Sequence, residues 1–270
     1  MAAAELGEDR ESANVVLGTF ETIADWQARL SKPYIPPSPS ELATDDLDWP
    51  WFSTSQIAWS GLAAAADHLN AIRRHVEVRT LFASAHLTLV RSALVGAAQC
   101  VWVLGPSDPG ERVSRSRTVT AEIYRRHLQY LRGLQELATM PHLGTDIVAD
   151  TISQRIAQLR SKREADGQVA ELDTTRMIKE AAELAFGRDD LIKQAVLAWR
   201  STSGAAHGLP WPLFGTSGTV QTKLAGEDGI AEFQAGGSLA RIANAYMAAY
   251  HLGQQGWQLL ARRGEQLATS

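Results

Sequence analysis

The sequence predicts an all-α protein: an antiparallel helical bundle with one small β-hairpin near its C-terminal end. Three observations carry that prediction. Apolar residues recur at three-to-four spacing through most of the chain from Ser53 onward, the mark of helices that bury one stripe. Glycine, proline and capping residues punctuate those stretches at helix length. One stretch alone, Leu213–Gly236, drops the helical period and reads as two short strands around the turn AGEDG, a hairpin over about 219–234.

Taken in order, residues 1–30 hold one helix, ANVVLGTFETIADWQARL, with Ser12 as its candidate cap. The next segment carries five prolines between Pro33 and Pro50. Proline fixes φ and removes an amide donor, so this segment is an extended wrap, and Tyr34, Trp49, Trp51 and Phe52 pack it onto the body. Residues 1–52 thus form an N-terminal helix and wrapping segment, and 53–270 the helical domain. Its first helix runs over Ser53–Glu77, with Ile57, Leu62, Ala65, Leu69 and Ile72 on one stripe. The second, Thr80–Pro106, is more apolar and stops at Gly105-Pro106. Others follow over Asp108–Met140, Thr145–Gly167 (with Thr145 as cap), Asp173–Gly187 and Arg188–Gly208. A last helix, Ser238–Arg263, follows the hairpin. Long helices with short connections favour antiparallel neighbours.

The chain has 270 residues, 45% hydrophobic and 21% charged, which suits a globular domain with a sizeable core. The single cysteine, Cys100, lies in an apolar run and reads as a buried inert thiol. The apolar run Ser92–Leu104 is too short to cross a bilayer, and the acidic N-terminus lacks a secretory core segment, so a cytoplasmic protein without membrane association is expected. The net charge is −4, which gives no global nucleic-acid signature. Between Glu111 and Arg132, however, stand Arg112, Arg115, Arg117, Arg125, Arg126 and Arg132 against Glu111 and Glu122. This run reads either as a solvated helix face or as a grip on a phosphate backbone.

Several chemistries find no support. There is no phosphate-binding loop, dinucleotide fingerprint, zincin helix or EF-hand. GTSG at Gly215–Gly218 has the wrong spacing for a nucleophile elbow. No metal ligand set and no cofactor is expected.

Two arginine–histidine pairs remain, each with six intervening residues: Arg200 with His207, and Arg79 with His86. RNA can be cut with few groups, because its own 2′-hydroxyl is the nucleophile. A base takes that proton, an acid protonates the leaving 5′-oxygen, and histidine titrates in the useful range. Arginine's planar fork matches the phosphoryl oxygens on which charge grows. With 21 arginines and seven histidines, about one or two such pairs arise by chance, so context has to separate them. Arg200 lies towards a helix end and His207 in a small-residue segment open to substrate. Arg79 and His86 fall within one predicted helix, where His86 has apolar neighbours and reads as a hydrogen-bonded core histidine or, with Arg79 and Arg91, as an accessory phosphate grip. Ser203 is placed to orient a phosphate, and His127 to face RNA. Trp199, Trp211 and Trp257 are either base-stacking surfaces or core. The bland reading of Arg200 and His207 is a helix cap, with Arg200 on terminal carbonyls and His207 packed under Trp211.

The string WRSTSGAAHG resembles the Arg-x4–6-His motif of the HEPN superfamily, all-α ribonucleases of toxin and phage-defence systems. LVRSALVGAAQCVWVLGP with ERVSRSR is similar to an arginine-bearing helix found in HEPN-like proteins. The resemblance covers residues 55–262 in organisation and about ten residues in motif. It implies a HEPN-like homodimer and a metal-independent endoribonuclease that leaves 2′,3′-cyclic phosphate ends. Arg200 and His207 would be catalytic; Ser201, Ser203, Arg79, His86 and Arg91 would contact RNA; an antitoxin or defence-system protein would be the partner. Ser201 departs from the pattern, which often has Asn, Asp or His after the arginine. The competing expectation is a non-catalytic helical interaction protein on the same fold, with the segment 33–50 and the hairpin as contact elements.

Overall fold

The computed structural model describes residues 2–137 and 144–265. It is an all-α protein with a two-stranded antiparallel sheet towards the C-terminus. The helices are α1 (Ala2–Leu17), α2 (Phe20–Arg29), α3 (Glu41–Asp46), α4 (Thr54–Glu77), α5 (Ala85–Leu104), α6 (Pro109–Glu136), α7 (Thr145–Ala165), α8 (Thr174–Phe186), α9 (Asp189–Ala206) and α10 (Leu239–Glu265). A short 3-10 turn, Trp211–Leu213, follows α9. The strands β1 (Thr219–Lys223) and β2 (Glu232–Ala235) pair from Thr219 opposite Ala235 to Lys223 opposite Glu232, with a bulge before Lys223.

The centre of the molecule is α5, which packs against α4, α8, α9 and α10. Its close approach to α4 depends on Gly61 and Gly96, because a methyl group on either would collide with the backbone carbonyl of the other. Gly256 likewise lets α10 close on Leu62 and Cys100. Burial pushes the Cys100 thiol well above its ordinary range, in keeping with an inert core residue. By length and composition α5 could cross a membrane, because the helix extends the apolar run back to Ala85. In this fold it contributes much of the buried core, from Leu87 to Leu104.

Local signals explain most helix boundaries. Ser53 and Gln56 form a reciprocal capping box at the start of α4. Asp108, followed by Pro109, caps α6, and Asp173 caps α8, which Gly187 ends in the left-handed conformation. Four expectations need correction. The predicted N-terminal helix is two helices divided at Gly18-Thr19, and Ser12 lies inside the first. Thr19 turns inward at the break and shares a hydrogen bond of 2.7 Å with Tyr246. The proline-rich segment is not wholly extended, because Ser40 caps the short α3 by accepting from the Ala43 amide. Thr145 does not cap α7; it is the first helical residue, after Gly144 with positive φ. The second helix of the bundle begins at Ala85, not Thr80, leaving Val78–Ser84 as a connection.

The wrapping segment is fastened by the arginine run. Arg112, fully buried, donates to both carboxylate oxygens of Asp45 at 2.6 and 3.1 Å. Arg117 holds Asp48 with a two-pronged contact at 2.6 and 2.8 Å and also pairs with Asp166. Arg115 pairs with Glu111 and lies over Trp102; Arg125 and Arg126 share Glu122. Most of the run is therefore engaged within the protein, and neither prior reading of it describes Arg112 or Arg117. Two buried forks hold a distant segment.

Candidate functional site: the outer face of α9

Helix α9 turns Ala195, Ala198, Thr202 and Ala205 into the protein. Arg200 projects from the opposite side. Positions seven apart on a helix return to within about 20° of one another, and positions three apart to within about 60°. Arg200, Ser203 and His207 consequently form one outward strip; Arg200 and His207 are exposed and Ser203 half-buried. Ser201 lies off this strip and donates to the Ala198 carbonyl at 3.1 Å, so its hydroxyl is directed along its own helix.

The helix end explains why neither Arg200 nor His207 is required there. His207 is the last partly helical residue, and Gly208 follows with φ 73°. The Gly208 amide donates to Ala205 at 3.0 Å and the Leu209 amide to Gly204 at 3.0 Å. These two bonds form a Schellman closure, which supplies the carbonyl partners that Arg200 was expected to supply. Trp211 folds back over Gly204, where any side chain would strike its ring. The indole thus covers the glycine beside the strip. The half of the helix-cap reading that put Arg200 on the terminal carbonyls is not what the geometry shows.

The second pair does not share a helix. Arg79 sits in the connection after α4 with φ 57° and is exposed. Its amide donates to Val76 and that of Thr80 to His75, the same closure found after α9. His86 is fully buried at the start of α5, and its Nε2 shares a hydrogen bond of 3.2 Å with His75 Nδ1. Phe82 meets both rings edge-on. Burial, with His75 as a lesser influence, pushes the His86 pKa down from 6.5 to about 4, so the ring stays neutral near pH 7. His86 is enclosed, and Arg79 does not point with it along one helix face.

Arg91 is separate again. Its guanidinium lies over the Trp199 ring, 4.6 Å from the centroid, and its Nε is buried without a hydrogen-bond partner among the described residues. The Arg91–Trp199 pairing was not foreseen from the sequence; the two residues lie on different helices, and no local pattern relates them. Of the other tryptophans considered, Trp257 is core and Trp211 is about half exposed. His127 is exposed on α6.

Among the described residues, no group of three or more His, Cys, Asp or Glu side chains is arranged to hold a metal ion. Comparison with known proteins finds no matching family model, no matching curated protein and no matching solved structure.

Proposed function

We propose that the outer face of α9 is the catalytic face of a HEPN-like endoribonuclease. The observation that supports this reading is the shared outward strip of Arg200, Ser203 and His207, with the helix end closed by backbone amides alone. In the reaction the ribose 2′-oxygen forms a bond to the adjacent phosphorus as the bond to the 5′-oxygen breaks. The 2′-hydroxyl proton passes to a base, and an acid protonates the departing 5′-oxygen. The products carry a 2′,3′-cyclic phosphate and a free 5′-hydroxyl. Arg200 stabilises the negative charge on the phosphoryl oxygens, and Ser203 hydrogen-bonds to one of them. His207 serves as base or as acid.

One face carries one histidine, whereas the two proton transfers call for two groups. A homodimer with two α9 faces opposed would supply the second and would enclose what is an open surface in the single chain. A toxin or defence setting, with an antitoxin or other partner and cytoplasmic RNA as target, rests on the HEPN resemblance.

The test is cleavage of a mixed RNA pool in EDTA by the wild type, His207→Ala and Arg200→Ala, with end-group analysis of the products. Cyclic-phosphate ends that disappear in both variants are expected. Equal cleavage by all three proteins would assign the activity elsewhere. A second reading, a non-catalytic interaction protein, is favoured by the apolar residues around the same face: Leu197, Leu209, Trp211 and Phe214 are each about half exposed or more. No cleavage by a dimeric wild-type protein would favour it.

A further inference from the structure

A groove of about 410 Å³ opens between α4, α5 and the flank of α9. Its polar lining comes from Ser60, Arg91, Ser92, Gln99, Thr174 and Trp199. Among the described residues Arg91 is the one charged side chain there, and no carboxylate lines the groove. Gln99 spends its amide nitrogen on the Ile57 carbonyl at 3.1 Å, and Trp199 spends its indole N–H on Thr175 at 3.2 Å, which fixes the ring under the guanidinium. Arg91 stacks on that ring, but its Nε is buried with no acceptor among the described residues. A buried donor without a partner destabilises the fold, more so when charged, unless something accepts from it. The groove therefore presents a preoriented cation, the Thr174 hydroxyl and, among the described residues, no anion of its own.

We propose that this groove is a phosphate-binding site, with Arg91 as its anchor. A planar guanidinium held against an indole presents its outward N–H groups as a fork suited to two phosphate oxygens, and the Thr174 hydroxyl can donate to another, whereas Ser60 and Ser92 give their hydroxyls to the Ile57 and Thr88 carbonyls at 2.9 and 3.3 Å. Trp199 also relates the groove to the face described above. Trp199, Ser203 and His207 follow one another at intervals of four along α9, a track of about 12 Å. An RNA strand anchored by one phosphate at Arg91 would continue towards Ser203 and His207. This part of the inference rests on the ribonuclease reading; the phosphate site itself does not.

The experiment measures binding, so it is independent of cleavage. A fluorescent 2′-O-methyl oligonucleotide, which lacks the nucleophilic hydroxyl, is titrated by anisotropy against wild type, Arg91→Gln, Arg91→Lys and Ser60→Glu. Inorganic phosphate is titrated in parallel by calorimetry. Ser60 is exposed, so its replacement adds a negative charge to the groove without disturbing the core. Arg91→Gln and Ser60→Glu are expected to weaken oligonucleotide binding at least about tenfold, with a salt slope smaller by about one for Arg91→Gln. Arg91→Lys keeps the charge without the fork and is expected to lie between them and wild type. If inorganic phosphate binds through Arg91 and the oligonucleotide does not, the site stands for free phosphate and its link to RNA fails. Binding of both ligands that is indifferent to Arg91→Gln and Ser60→Glu, or no binding of either by the folded wild type, overturns the proposal.

Discussion

The chain contains the same pattern twice, an arginine and a histidine seven residues on, and the fold treats the two copies in opposite ways. In the first, α4 ends just before the arginine: Arg79 occupies the left-handed position after the helix, and His86 enters the next helix and the core. In the second, Arg200 and His207 belong to one helix, the left-handed position falls one residue later on Gly208, and both side chains face outward. The intervening residues account for the difference. After Arg79 come Thr80, Leu81 and Phe82; Leu81 is pressed against Gly237, where there is no room for a side chain, and Phe82 covers the two histidine rings. After Arg200 come only small residues, which continue the helix and let Trp211 lie on Gly204. Equal spacing in sequence becomes a shared face only where one helix spans it.

The largest expected effect separates the two histidines by activity. His207→Ala should reduce RNA cleavage about 10²–10⁴-fold, the range for a general acid or base, while His86→Leu leaves the cleavage rate per folded molecule near that of wild type. Dependence on His86 alone would reverse the assignment. The next effect is on stability. The unfolded chain protonates His86 near pH 6.5, and the folded chain resists protonation until about pH 4. The unfolded state thus binds more protons between those values. The full stability is present above pH 6.5 and falls by on the order of 3 kcal/mol as pH drops to 4. Denaturant titrations at pH 7 and pH 5 should show the loss, and His86→Leu should flatten it; an unchanged pH slope in that variant would place the sensitivity elsewhere.

A smaller effect sharpens the contrast at the partner ring. His75→Ala removes the hydrogen bond to His86 Nε2 and should cost about 1–3 kcal/mol by equilibrium unfolding, whereas no comparable loss is expected from His207→Ala. The smallest concerns the two helix ends. Arg79→Gly relieves a left-handed backbone and should stabilise the fold by about 1 kcal/mol, and Gly208→Ala should destabilise it by a similar amount. Shifts of the same sign in the two variants would contradict the parallel between the ends.

The bundle was legible because helix signals are local. The apolar stripe of α4, the cap Asp173 and stop Gly187 of α8, and the break at Leu213 can all be read within a few residues. The misread positions depended on distant neighbours. Thr19 interrupts the N-terminal helix in contact with Tyr246, and the helix start at Ala85 follows a connection pressed against Gly237. The arginine run looked like a surface feature because Asp45, Asp48 and Asp166, the partners of Arg112 and Arg117, are remote in sequence. The α9 strip followed from spacing once the helix was placed. The groove around Arg91 did not, because its lining comes from several helices.

The fastening of the wrapping segment bears on how this protein can be trimmed. A fragment starting at Ser53 would keep every helix from α4 onward but would leave Arg112 without Asp45, Arg117 without Asp48 and Arg263 without Glu41. Water would have to enter where those carboxylates had been. The wrapping segment is thus the counter-ion of the bundle, and a shortened version would need neutral replacements at the three arginines before it could be expected to behave as a solid body.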